Sequence, residues 1–580
     1  MRRVQGLIVF ATLAAIAAGI YYQTSGFGFV FDDDFLILDS PPLREGLSAR
    51  TILWAWGSRD FGNWFPLTRL SFLLDATLFG LRAGPMHLMN ALLHLATAWT
   101  AFRVLSSATG MRWRSAAVAS LYAAHPLQVE SVAWVSERSM LLAGLLFWAT
   151  LGAYVRYVRR PAAGRYLLVF LYLLLGLLAK PILATLPVLL LLLDWWPLGR
   201  IGAPAAGGEW SYQRSRSLPL REKAPLLLLC AAIGILAIQT QVAGGAVPAL
   251  SAIPLATRVG NALRGTAWYL EKIAWPSGLG VYYPLPATAA PLWHTAGAAV
   301  LLGAVSVVVL ARHRRQPCLL AGWLWFTLIL IPVSGIVQAG AQATADRYMY
   351  LPLAGILLAV VWAIPGTGRH PRRGVTLLAA GAAAVVALAL VAHVQTNFWR
   401  DNRTLFRRAV DVAGDESPVI QVRLAMVSLA EGDLQGAARH YRESLRMLPN
   451  SAYSEYHLGR VLARQGQVLE AIDHYRAAIA IYPKHAEIHR NLGAALEHEG
   501  RSTEALQAYL GAIRADARDV EALDGLARLL AAQGRQQAAE VCASEAGRLR
   551  PALLASGREQ LPGSGTQSAA PLQRAPGDKP

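Results

Sequence analysis

Only three cysteines occur in 580 residues, Cys230, Cys318 and Cys542, and none stands in a CxxC or Cys/His spacing. Neither a disulfide framework nor a zinc site is expected. Charged residues are few as well, 16% of the chain, while hydrophobic residues reach 54%. A soluble protein carries about a quarter of its residues charged, so this chain is too apolar for an ordinary soluble enzyme. It also lacks the glycine-rich phosphate turn that a soluble nucleotide-sugar enzyme would offer. Acid is the scarcer sign, with 36 Asp and Glu against 54 Lys and Arg, a formal charge of +18. The basic residues fall in short clusters between apolar blocks, so we read the excess as membrane topology and expect no nucleic-acid partner.

The apolar residues are clumped into blocks of about the length that spans a bilayer at 1.5 Å per helical residue. They lie near 4–22, 86–106, 115–126, 139–157, 165–180, 181–196, 224–241, 292–311, 318–337, 348–364 and 374–394, which makes about eleven spans. The first has a basic start, Arg2 and Arg3, and reads as an intact span rather than a cleaved signal. Arg and Lys clusters are retained in the cytoplasm. Arg103, Arg112 and Arg114 follow the second span, Arg156, Arg159, Arg160 and Arg165 the fourth, and a basic loop the sixth. The segment 257–276 fits this order as a re-entrant or interfacial helix, which keeps the cluster 312–316 inside. The last span then exits and places everything beyond about 395 on the extracytoplasmic side.

From about 418 a new period begins. Gly432, Gly466, Gly500 and Gly534 are each 34 residues apart, and Ala437, Ala471, Ala505 and Ala539 repeat in phase. So do Tyr441, Tyr475 and Tyr509, and the closing prolines Pro449, Pro483 and Pro551, with Ala517 standing where a proline is expected. This is the signature of tetratricopeptide repeats, helix pairs that stack into an α-solenoid with a concave groove. The predicted organisation is a membrane domain over 1–397, a linker over 398–417, four repeats over 418–553 and a disordered tail over 554–580. The fold class is all-α.

Four polar groups then lie on the outer side. The first loop carries "FVFDDDFLILDSPP", with Asp32, Asp33, Asp34 and Asp39, where a partly buried carboxylate can act as a general base. The second span carries His87, Asn90 and His94 on one face. Such a stripe lines a cavity or joins helices by hydrogen bonds. Its spacing permits metal binding, yet no carboxylate accompanies it and no metal site is assigned. The stretch "HPLQVESVAWVSER" brings His125, Glu130, Glu137 and Arg138, and "ATADRYMYLP" brings Asp346, Arg347 and Tyr348. Lys180 belongs to the same outer ring. An arginine at a bilayer surface can bind a lipid phosphate or simply anchor the helix end.

At "FVFDDDFLIL", "FPLTRLSFLLDATLFGLRAGPMHLMNALLHL", "AAHPLQVESVAWVSERSMLLAGLLFW", "AKPILATLPVLLLLLDWW" and "ADRYMYLP", followed by the repeats, the chain resembles the transmembrane and tetratricopeptide-repeat (TMTC) O-mannosyltransferases of the GT-C superfamily. The resemblance covers roughly 1–553. It implies a polytopic GT-C-type helical core that moves a sugar from a polyprenyl phosphate to an extracytoplasmic acceptor, with inversion at the anomeric carbon. It also implies that Asp32 and Asp33 are the catalytic acids, Arg138 and Arg347 the donor-phosphate contacts, and His87, His125 and Glu130 residues of the pocket. The cofactor is then a lipid-linked sugar donor, with a divalent metal allowed but not indicated, and the partners are that lipid and a protein or glycan acceptor held by the repeats. Alanine, arginine and glycine usage suggests GC-rich bacterial coding, hence a bacterial cytoplasmic membrane.

Two other functions fit parts of this pattern. A non-catalytic scaffold could recruit envelope proteins through the repeats alone. An oligosaccharide ligase or polymerase also acts on polyprenyl-linked sugars, but the late outer loop around 338–347 is short for one.

Overall fold

A computed structural model describes residues 2–59, 62–201, 220–243, 254–285, 291–336, 342–365 and 371–555. The chain divides into two compact units, Met1–Arg408 and Ala409–Pro580.

The first unit is helical throughout, apart from a short antiparallel pairing of Tyr283–Pro284 with Gln342–Thr344. Among the described residues, six helices are long and apolar enough to cross a membrane: Arg3–Gly26, Ala83–Thr109, Val135–Arg159, Leu220–Ala243, Leu292–Arg312 and Gly374–Asn397. The remaining expected spans also form helices, but shorter ones. Ala163–Ala179, Pro181–Trp195, Pro317–Val333 and Leu353–Ala363 are apolar, and Arg112–Ala124 has 13 residues. Six of the eleven expected spans are thus long apolar helices, and the other five are shorter helices between them. Proline at 181, 317 and 352 begins or precedes several of the short helices, where its missing N–H costs nothing. The segment 255–274 is a single helix carrying Arg258, Arg264, Glu271 and Lys272, too polar to count as a span.

Burial separates central from peripheral helices. In Val135–Arg159 61% of the apolar window is buried within the protein, against 6% in Gly374–Asn397 and 11% in Leu292–Arg312. Leu7, Leu228, Val300 and Leu378 are correspondingly exposed, as expected of side chains that face hydrocarbon. Close packing at the centre uses small residues. A Cβ on Gly322 would stand 2.2 Å from the Gly355 carbonyl oxygen, so the helices Pro317–Leu330 and Leu353–Ala363 meet backbone to backbone. Elsewhere charge joins helices: Asp194 accepts from Tyr154 Oη at 2.7 Å and from Arg200 Nη1 at 3.0 Å, and Arg200 also reaches Glu222 at 2.9 Å.

The second unit contains the repeats. Four helix pairs run Pro418–Ala430 with Leu434–Met447, Ala452–Arg464 with Val468–Ile481, Ala486–His498 with Ser502–Ala515, and Val520–Ala532 with Gln536–Ala555. The glycines spaced by 34 residues each take a positive φ of 72–81° in the turn between paired helices. Ala437, Ala471 and Ala505 are fully buried, and Tyr441, Tyr475 and Tyr509 fill the core beside them. Where proline is missing at Ala517, the turn is closed by Asp516, whose carboxylate accepts the Arg518 N–H at 2.9 Å. The stretch read as a linker contains a helix, Asn402–Ala413, and the boundary between units falls within it. Most of the expected tail, from 556 onward, lies outside the described residues.

Candidate active site

The site is organised by a break in the helical backbone. The helix Val129–Ala133 ends at Trp134, a tight turn follows over Val135–Glu137, and the long helix begins at Arg138. Backbone carbonyls released by such a break must be paired inside the protein. Asn90 supplies the partner, its Nδ2 donating to Trp134 O at 3.1 Å and lying 3.3 Å from Val132 O. This is what one member of the polar stripe does. His94 Nδ1 is 3.0 Å from Tyr350 Oη and its Nε2 is 3.3 Å from Ala123 O, while His87 Nε2 is 3.1 Å from Gly28 O. The stripe therefore joins helices, and His87 fastens the start of the acidic loop.

Arg138 is the side chain that departs most from its expected place. It is fully buried, paired with Asp75, and donates from Nε to Asn90 Oδ1 and from Nη2 to Met86 O, each at 2.8 Å. Its guanidinium also lies 4.8 Å from the centre of the Phe72 ring. So engaged, the guanidinium braces the turn from beneath.

The two residues before Arg138 in the turn engage other charged groups. Ser136 donates from both its backbone N–H, at 2.8 Å, and its hydroxyl to Asp33 Oδ1. The other oxygen of Asp33 accepts the Val30 N–H at 3.1 Å. Glu137 accepts from Lys180 Nζ at 2.7 Å and lies 3.4 Å from Arg347 Nε. Three consecutive residues thus gather the first-loop acid, two cations and the Asp75 strut. Asp33 is completely buried, whereas Asp32 is half-buried.

Burial pushes the Asp33 carboxyl up to about 7; the Ser136 and Val30 hydrogen bonds work against that shift, and the neighbouring Asp32 adds to it. Glu130 accepts the Arg347 N–H at 2.7 Å and pairs with its guanidinium, whose Nη2 also donates to Gln342 at 3.0 Å. Desolvation raises Glu130, with Arg347 opposing. Asp346 accepts from Tyr283 Oη at 2.8 Å and is also raised, by burial and then by the Glu130 charge. His125 is fixed at both ring nitrogens, accepting from Leu127 N at 3.2 Å and lying 3.1 Å from Ile273 O. It follows the helix Arg112–Ala124 and caps the short turn Pro126–Gln128.

The structure brings Asp33, Glu130, Glu137, Lys180 and Arg347 around one turn and sets Arg138 and the histidines behind it. Reading the sequence missed Ser136 and Asn402, whose Oδ1 accepts the Phe31 N–H at 2.7 Å. A lone serine and a lone asparagine carry no pattern that would have marked them.

Comparison with known proteins adds three findings. A tetratricopeptide-repeat family model matches residues 456–520. Drosophila melanogaster protein O-mannosyl-transferase Tmtc2 is 32% identical over 158 residues, 26% of this chain and 17% of its own length. The chain resembles the TMTC family. Two further TMTC proteins agree: Drosophila Tmtc1 is 29% identical over 29% of this chain and 21% of its own length, and mouse TMTC3 is 30% identical over 25% and 16%. The chain covers 16 to 21% of the length of these TMTC relatives. Among solved structures, a crystal structure of MamA overlaps 27% of this chain and 89% of its own, at 18% identity and a TM-score of 0.25.

Proposed function

We propose that the chain is a membrane glycosyltransferase that transfers a sugar, mannose or another hexose, from a polyprenyl-phosphate donor to a hydroxyl of an extracytoplasmic acceptor, a protein Ser or Thr. The observation that carries the reading is the Asp32 and Asp33 pair, tied through Ser136 to the turn that also gathers Lys180 and Arg347. The TMTC relatives are protein O-mannosyl-transferases by name, which favours the same chemistry.

In this reading the half-buried Asp32 takes the proton from the acceptor hydroxyl, and the buried Asp33 holds the loop behind it. The hydroxyl oxygen bonds to the anomeric carbon as the bond from that carbon to the phosphate oxygen breaks. Polyprenyl phosphate leaves with the electron pair, and Arg347 with Lys180 hold the charge that develops. A single displacement inverts the anomeric configuration. Glu130 and His125 shape the pocket wall, and His87 fixes the loop. The reading requires no cofactor beyond the lipid-linked donor. The repeats present the acceptor, on the outer side of a bacterial cytoplasmic membrane.

Asp32→Asn in reconstituted membranes tests it. Loss of sugar transfer at an unchanged thermal midpoint is expected. Full transfer would overturn the reading and leave a scaffold that acts through its repeats.

A further inference from the structure

We infer that Asn402 is a positioning residue for the base: it holds Phe31 in a left-handed backbone conformation and thereby fixes the direction of the next residue, Asp32. The inference rests on the role of Asp32 proposed above.

Phe31 has φ 60° and is the sole non-glycine residue with a positive φ among the described residues. An aromatic side chain meets steric resistance there, because its Cβ crowds the following carbonyl oxygen. Such an outlier persists only where the surroundings over-determine it, and it marks places where geometry matters. The surroundings of Phe31 do over-determine it. Asn402 Oδ1 accepts its N–H at 2.7 Å, and its ring packs against Trp134 at 5.1 Å and Phe406 at 5.8 Å between centroids. Three residues earlier, the Gly28 N–H donates to Arg400 O at 3.1 Å. Two residues later, Asp33 is tied to Ser136.

Asp32 is therefore bracketed. Its backbone lies between a peptide fixed by Asn402 and a side chain fixed by Ser136. Without the first tie, Phe31 relaxes toward negative φ, the peptide joining it to Asp32 rotates, and the carboxylate turns while Asp33 stays in place. A catalytic group displaced by about 1 Å loses on the order of a hundredfold in rate. Asn402 bonds to Phe31 and not to Arg347 or Lys180, so the defect is expected in turnover rather than in donor binding.

The test compares Asn402→Ala, Asn402→Ser and Asn402→Asp in the full-length protein in proteoliposomes, with polyprenyl-phosphate mannose as donor and Asp32→Asn as control. Serine is too short to reach Phe31, and it stands in for alanine if that variant does not accumulate. Aspartate keeps an oxygen at the same reach and is favourable at the start of a helix. We expect Asn402→Ala and Asn402→Ser to lower kcat at least tenfold with donor KM within twofold, and Asn402→Asp to stay within threefold of the parent. The inference is overturned if truncation leaves kcat within twofold, if the loss lies in KM, or if aspartate falls as far as alanine. An active Asp32→Asn control would instead remove the base assignment itself, whatever the Asn402 variants do.

Discussion

Arg138 and Asp75 form an ion pair in the interior of the first unit, with side chains 0% and 2% exposed. The pair sits directly beneath the turn that carries Ser136 and Glu137. Its position explains why an arginine at the mouth of a span need not meet a ligand: burial, Asn90 and Met86 already engage the guanidinium.

Removing one partner of a buried pair leaves an uncompensated charge and costs roughly 3–5 kcal/mol. Arg138→Ala should therefore lower the thermal midpoint sharply, and Asp75→Ala introduced beside it should recover part of the loss. Thermal unfolding of the purified single and double variants measures this. A normal midpoint with a raised donor KM would return Arg138 to the phosphate site.

Asp33 makes a pH-dependent contribution whose sign can be worked out. Its folded-state carboxyl titrates at about 7, above the ordinary 3.8 of the unfolded chain. Between those values the folded chain binds the proton and the unfolded chain does not. The contribution is thus fully present below 3.8 and is lost as pH rises through 7. At 1.36 kcal/mol per unit it amounts to about 4 kcal/mol. Asp33→Asn, which cannot titrate, should show a shallower fall of thermal midpoint from pH 4 to 7 than the parent. Parallel profiles for the two proteins would contradict the burial of a titrating Asp33.

Arg347 differs from Arg138 in being 11% exposed at its side chain and in facing Glu130 and Glu137 together. Arg347→Lys keeps a charge but loses the planar fork. In transfer assays it should lower kcat/KM by about a hundredfold, the size expected when a donor to a developing charge is removed. An effect under threefold would take Arg347 out of the mechanism.

Much of this was legible in the sequence because it was periodic. The 34-residue spacing of Gly432 to Gly534 fixed each repeat, and every expected apolar block is helical. Span length was less legible. Hydropathy marks an apolar block but not where its helix starts, and Leu353–Ala363 begins only after Pro352. At the site, the sequence marked the charged residues but not their division of labour. Arg138 and Arg347 look alike as letters, and only tertiary packing separates the fully buried strut from the partly buried cation. Ser136 and Asn402 act through single hydrogen bonds across 103 and 371 residues of chain, contacts no local pattern encodes.

The most direct measurement is sugar transfer by the purified protein in proteoliposomes from a panel of polyprenyl-phosphate sugars, with mass spectrometry of the acceptor fraction. The account predicts a hexose added to a hydroxyl from at least one polyprenyl-phosphate donor, with inverted anomeric configuration and loss of the product in Asp32→Asn. Transfer that is equal in Asp32→Asn, or that proceeds with retained configuration, would contradict it.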